Sequence, residues 1–224
     1  MKNLIPDHPY DLTVELTRLR GLRDEVIPPE VAAHMDQATA ALVESKAADR
    51  AVGVGTRAPD FTLPNAAGKD ISLKRLLNEG AVVVSFYRGI WCPFCNLELR
   101  ALQQSAAEIT RLGARLVAIS GQTPDNSLST AEKNGLTYEV LSDVGLTVAR
   151  SYGLVFALPE YLQADYRELG HPLSQFNGTD QNTLPIPGTF VIDPAGVVRY
   201  AYVNPNYMYR ADPAAVIAAL RTPA

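Results

Sequence analysis

The stretch AVVVSFY, residues 81–87, runs directly into RGIWCPFCNLEL, residues 88–99, and that junction restricts the architecture more than any other part of the chain. A nearly unbroken apolar run, rich in branched and aromatic side chains, is stable as a strand only where both faces of its sheet are covered. From Pro93 good helix formers continue to about residue 111, with Leu99, Leu102, Ala106 and Ile109 as an apolar stripe. A proline in the first helical turn sacrifices no hydrogen bond, because the N–H it lacks would have had no partner there. A buried strand turning directly into an amphipathic helix predicts an α/β fold.

The flanking segments continue the alternation. ARLVAIS reads as a strand, a helix follows Thr123 and Pro124, and YEVLSD and GLTVARSY read as a short strand and a short helix. GTFVID and VVRYAYV flank the turn DPAG as a hairpin, and a last helix starts at Asp212 with Pro213 behind it. Upstream, DFTL and DISL surround NAAGK as another hairpin. Residues 156–187 read as an irregular tract too long for an ordinary connection, a binding loop or a lid. Before all this, Leu12, Leu16, Leu19 and Val26 recur at helical spacing, Pro28 and Pro29 break the run, and Val31, Met35, Ala38 and Leu42 resume it. The expected organisation is an N-terminal helical arm over residues 1–52 and an α/β domain with a mixed sheet over residues 53–224.

A chain of 224 residues with 47% hydrophobic content can bury a full core. Its net charge of −4 and the lack of a dense basic run argue against nucleic acid or an acidic membrane as partners. No stretch is apolar enough to span a bilayer or to act as a secretory signal, so a cytoplasmic location is expected.

The chain has two cysteines, Cys92 and Cys95, both at the strand-to-helix junction. That spacing puts one at the helix cap and the other a turn inside on the same face, close enough for a disulfide. A thiolate there gains from the helix dipole and unpaired N–H groups, which can bring its pKa down to roughly 3.5–7.5. Pro93 and Phe94 restrict the loop between the sulfurs, and Trp91 offers a flat apolar wall beside them. Such a pair suits thiol exchange, in which one sulfur attacks and the other resolves the mixed species. The competing reading makes them small buried hydrophobes. Zinc would need four ligands, and His8, His34 and His171 are scattered, so no metal is expected. GVGTRA, residues 53–58, loosely fits a dinucleotide fingerprint but follows no strand and runs into Pro59.

The order GTRAPDFTLPNAAGKDISL, FYRGIWCPFCNLELRALQ and LPIPGTFVIDPAGVVRY resembles the thioredoxin superfamily, and within it the peroxiredoxin-like group related to alkyl hydroperoxide reductases that carries a WCPFC dithiol. The resemblance implies a thioredoxin fold and a redox enzyme without a cofactor, cycling Cys92 and Cys95 between dithiol and disulfide. Its oxidant would be a protein disulfide or a hydroperoxide, and its reductant a thioredoxin-like protein or a glutathione-type thiol. Ordinary peroxiredoxins show P-x-x-x-T-x-x-C; with Cys95 as the peroxidatic cysteine, Arg88 replaces the Pro and Cys92 replaces the Thr. The family's catalytic Arg falls on Pro187, which leaves Arg88 and Arg150 as candidates to replace it. Aligned instead with a thioredoxin-type dithiol, Cys92 is the exposed attacking thiol and Cys95 the buried resolving one. Ile186 and Pro187 then match a cis-proline loop that, with Arg88, Trp91 and Pro93, would contact substrate. Glu98 matches an acidic residue of both patterns, either a proton relay to the resolving thiol or a solvated helix-face side chain. Ser85 stands where thioredoxins keep a buried Asp. The alternative to an enzyme is a thioredoxin-fold binding or dimerisation module acting through the arm, and a homodimer is an expected assembly.

Overall fold

The computed structural model describes residue 6 and residues 8–222, so the first part of the arm, residues 1–5 and 7, lies outside the described residues. The arm consists of α1 (Leu12–Val26) and α2 (Pro29–Glu44), broken at the proline pair. Asp11 caps α1 by accepting the Val14 N–H. The core of the domain is a five-stranded sheet. Its order is β5 (Glu139–Ser142), β4 (Arg115–Ser120), β3 (Val82–Phe86), β8 (Gly188–Ile192) and β9 (Val198–Val203). β3 runs parallel to β4 and antiparallel to β8, with Ser85 opposite Thr189 and Phe86 opposite Gly188. This is the thioredoxin fold expected from the sequence, and every residue of β3 is buried as its composition requires.

Helices α4 (Pro93–Arg111) and α9 (Pro213–Arg221) pack on one face of the sheet with Val83, Leu116 and Val191. The other face carries Phe86, Tyr152 and Phe190, with Phe190 edge-on to the other two rings, closed by the N-terminal hairpin β1 (Thr62–Pro64) and β2 (Asp70–Ser72). Among the described residues no helix is long and apolar enough to cross a membrane.

The tract 156–187 is not irregular. It opens in β6 (Val155–Ala157), passes through α7 (Glu160–Glu168) and α8 (Leu173–Asn177), and returns through β7 (Thr183–Pro185), which pairs with β6. Both helices are short and begin after a proline, so neither carries enough turns to leave a periodic signature. Leu162, Tyr166 and Leu173 of this tract pack on Val31 and Met35 of α2, while Leu12, Leu16 and Leu19 of α1 pack on α4. Most of the arm's apolar stripes are thus covered within the chain, while Val26 stays exposed. The arm also passes close beneath Gly153: a Cβ there would lie 2.0 Å from the Arg50 carbonyl oxygen, and its φ of +72° favours glycine as well.

Candidate active site

The site forms where β3 ends. Tyr87 and Arg88 carry the chain out of the sheet, Cys92 takes the N-cap position of α4, and Cys95 sits in its first turn. Both are thiols, and both are buried, Cys92 at 2% exposure and Cys95 at 0%. The expected exposure of Cys92 is therefore corrected: residues of the arm and of α7 stand over the helix start, and Cys92 lines the chamber between them.

The sulfurs differ in their surroundings. Arg210 Nη2 is 3.2 Å from Cys95 Sγ and 4.0 Å from Cys92 Sγ, and the Arg88 backbone N–H donates to Cys95 Sγ at 3.4 Å. Burial alone pushes the Cys95 thiol up. The Cys92 thiol donating to it, the charges of Arg210 and Arg88, and the Arg88 amide together outweigh burial and hold Cys95 well below its ordinary value. Cys92 moves the opposite way, pushed up by burial and by the ionised sulfur it donates to.

Arg210 lies in the connection between β9 and α9 and is held there by the carbonyls of Tyr207 and Tyr209. Its Nε is 2.8 Å from Glu98 Oε2, and Glu98 Oε1 accepts from Thr189 Oγ1 at 3.0 Å. Glu98 is 1% exposed, so the solvated helix-face alternative is corrected: its turn of α4 faces β8. Burial, with the Cys95 charge adding to it, outweighs Arg210 and pushes the Glu98 carboxyl up to about 7. A carboxyl whose folded pKa exceeds its unfolded value near 4.3 favours folding at low pH and loses that contribution as pH rises to about 7. Glu98→Gln removes this loss, so the variant's melting temperature relative to the parent is expected to rise between pH 4.5 and 7 and then level off. A flat difference across that range contradicts the shift.

Arg88 is 3% exposed, with its guanidinium carbon 4.2 Å from the ring centre of Tyr207, 5.0 Å from Trp91 and 5.7 Å from Tyr166. It donates to the Tyr166 hydroxyl, and its charge reaches both sulfurs. Of the two arginines expected to replace the one at the Pro187 position, Arg88 is at the site, whereas Arg150 is exposed on α6 (Thr147–Ser151). The arginine whose guanidinium touches sulfur is Arg210, which the sequence reading missed. It is 115 residues from Cys95, and no motif links the two.

Trp91 and Pro93 line the chamber with Cys92. Ile186 does not: it is fully buried in the main core. Pro187 borders a separate hollow of about 20 Å³ beside Arg88 and Tyr207. The expected cis Ile186–Pro187 bond is also corrected, since no cis peptide occurs among the described residues. The chain passes from β7 through the Ile186 N–H, bonded to the Leu154 carbonyl, straight into β8, and this extended path is served by the trans bond that X–Pro already prefers. Ser85 is buried beneath the site with no hydrogen-bond partner for its hydroxyl among the described residues. No group of three or more metal-ligating side chains occurs among the described residues.

The likeness to known proteins follows this geometry. Peroxiredoxin Q of Gentiana triflora and that of Populus jackii are each 31% identical to the chain over 153 residues, 68% of its length. The chain spans 60% and 61% of the length of these two relatives. The structure titled peroxidoxin BcpB, from Mycobacterium tuberculosis, superposes with a TM-score of 0.59 at 26% identity, over 75% of this chain and 96% of that one. Both plant relatives are chloroplastic, which overturns the cytoplasmic expectation. A missing apolar secretory stretch excludes one export route and is silent about plastids, whose transit peptides are not apolar. Residues 54–201, which carry the sheet, the dithiol and the strand facing it, match the AhpC/TSA family, and the chain belongs to that family.

Proposed function

We propose that the chain is a thiol peroxidase in which Cys95 is the attacking sulfur and Cys92 the resolving one. The observation that supports this most is the Arg210 guanidinium 3.2 Å from Cys95 Sγ, on the sulfur that also takes the Arg88 amide. In the reaction the Cys95 thiolate attacks one oxygen of R–O–O–H. An S–O bond forms as the O–O bond breaks, leaving Cys95 as a sulfenic acid and the departing oxygen, once protonated, as the alcohol R–OH. Arg210 and Arg88 place positive charge where the breaking bond builds negative charge. Glu98 acts as a positioning residue, holding Arg210 against Thr189 and α4. The Cys92 thiol then condenses with the sulfenic acid, forming the disulfide and releasing water. Two reducing equivalents from an external thiol restore the dithiol. No metal or organic cofactor enters these steps.

Burial of both sulfurs favours hydroperoxide over protein disulfide as oxidant, because a folded protein cannot bring its own disulfide through a roofed chamber. In the same reading residues 1–52 are a separate arm, whose helices α1 and α2 stand over the site, and residues 53–224 are the catalytic domain. The test is stopped-flow oxidation of the reduced protein by hydrogen peroxide, followed by Trp91 fluorescence. A rate at least about a hundredfold above that of an ordinary thiol at the same pH is expected. A rate equal to that of an ordinary thiol overturns the assignment.

A further inference from the structure

The connection from β3 to α4 turns sharply just before the dithiol. The Cys92 N–H donates to the Gly89 carbonyl at 3.1 Å, so residues 89–92 form a four-residue turn with Ile90 and Trp91 at its corner. On an open surface the polar groups of the first corner residue would go to water. Here a buried side chain takes each of them. The Ile90 N–H donates to Gln122 Oε1, and the Ile90 carbonyl accepts from Asn96 Nδ2 at 2.7 Å, with Lys133 Nζ further off at 3.4 Å. Gln122 is 0% exposed and Asn96 2%. Gly89 makes the approach of Gln122 possible: a Cβ there would lie 2.8 Å from Gln122 Oε1 and strike the Trp91 indole.

Both side chains are themselves anchored. Gln122 follows β4, and its Nε2 donates to the Asn126 carbonyl at 2.8 Å and to Thr130 Oγ1 at 3.0 Å, both on α5 (Pro124–Asn134). A main-chain donor at one end and a main-chain acceptor at the other allow the amide one orientation. Asn96 Oδ1 accepts from Asn134 Nδ2 at 2.9 Å, at the end of the same helix, while the Asn96 N–H donates to the Cys92 carbonyl at 3.1 Å. Ile90 is therefore gripped from two sides by side chains fixed to α5. Two residues on stands Cys92, whose thiol donates to the Cys95 sulfur. Among the described residues the hydrogen bonds of Gln122 and Asn96 go to this connection, to the start of α4 and to α5, and none goes to a sulfur or to Arg210. The pair bears on where Cys92 sits rather than on the charge around Cys95.

Resting on the peroxidase reading, we propose that Gln122 and Asn96 are positioning residues for the resolving step: they fix the turn at Ile90 so that the Cys92 thiol stays within reach of Cys95 after Cys95 has become the sulfenic acid. Condensation then needs no unwinding of α4. The Cys92 sulfur attacks the sulfenic sulfur, an S–S bond forms as the S–O bond breaks, and the oxygen leaves as water with the proton of the Cys92 thiol. With Cys92 misplaced, a second hydroperoxide reaches the waiting sulfenic acid first. Another S–O bond then forms as the O–O bond breaks, leaving sulfinic acid at Cys95 and releasing a second alcohol. Misplacing a reacting group by about 1 Å costs up to about 10²-fold in rate.

The test follows both steps in the parent, Gln122→Met and Asn96→Ala proteins, mixing each in reduced form with hydrogen peroxide and reading the products by mass spectrometry of quenched samples. In the variants formation of the sulfenic acid is expected to stay within about tenfold of the parent rate, the scale of losing the hydrogen bond from Cys92. Closure of the disulfide is expected to slow by about 10²-fold, with the sulfenic acid trapped by dimedone and sulfinic acid accumulating in excess peroxide. A second measurement needs no variant: the Ile90 amide of the parent protein is expected to exchange its hydrogen at least about a hundredfold more slowly than an open-loop amide. Equal slowing of the two steps, unchanged closure, or free exchange at Ile90 overturns the inference and leaves the peroxidase reading intact. A parent protein whose first step is no faster than that of an ordinary thiol overturns the peroxidase reading, and the inference with it.

Discussion

Replacing Cys95 with serine abolishes reaction with hydroperoxide, and replacing Cys92 with serine does not: that asymmetry is the largest effect expected from the site. A hydroxyl at position 95 stays protonated at neutral pH even beside two guanidiniums, so the rate should fall by roughly three orders of magnitude or more, to background. At position 92 a serine hydroxyl can still donate to the Cys95 sulfur, as the thiol does in the parent protein. Oxidation of the Cys92→Ser protein should therefore proceed within about tenfold of the parent rate, a loss comparable with one neutral hydrogen bond. It then stops, because no second sulfur remains to expel water from the sulfenic acid. Mass spectrometry after trapping with dimedone reads the stalled species directly. The opposite pattern, with Cys95→Ser still oxidised and Cys92→Ser inert, would establish the thioredoxin-type order of attack.

Arg210→Met is expected to slow oxidation by about 10²–10³-fold, the scale of removing one preorganised charge from a breaking bond, and to raise the Cys95 pKa. It also leaves Glu98 buried without its cation, which costs stability of about 3–5 kcal/mol if the carboxylate stays charged. The double variant Arg210→Met/Glu98→Gln removes that burden and separates the two effects. Its stability should recover while its rate stays low. Recovery of rate along with stability would make Arg210 a structural residue only.

The sequence discloses the fold well because its strongest signals are local. The run 82–86 is short and β-branched, as a covered strand is, the stripe on α4 has enough turns to repeat, and the hairpins β1–β2 and β8–β9 carry their own turn residues. Where an element is short and begins at a proline, as α7 and α8 do, periodicity has no room to appear. The dithiol was legible for the same reason, as one turn of helix fixes it.

The rest of the site is held by contacts between distant parts of the chain. Arg210 reaches Cys95 from the far side of the hairpin β8–β9, Thr189 meets Glu98 across the sheet-to-helix interface, and Arg88 is closed in by Tyr166 of α7 and by Tyr207 of the connection that carries Arg210. None of these pairings leaves a spacing to read. Alignment to a motif went wrong for a related reason. It fixed the missing arginine at Pro187 and offered Arg88 and Arg150 in its place, whereas the fold brings the Arg210 guanidinium, beyond the family-matched residues, to the sulfur.

The account turns on which sulfur is ionised. Titrating the ultraviolet absorbance of the thiolate in the Cys92→Ser protein measures this most directly, because only Cys95 remains to absorb. A transition well below 9 that moves up when Arg210 is also replaced is the predicted result. A Cys95 that titrates at or above 9, with the low-pKa thiolate appearing instead in the Cys95→Ser protein, would contradict the account.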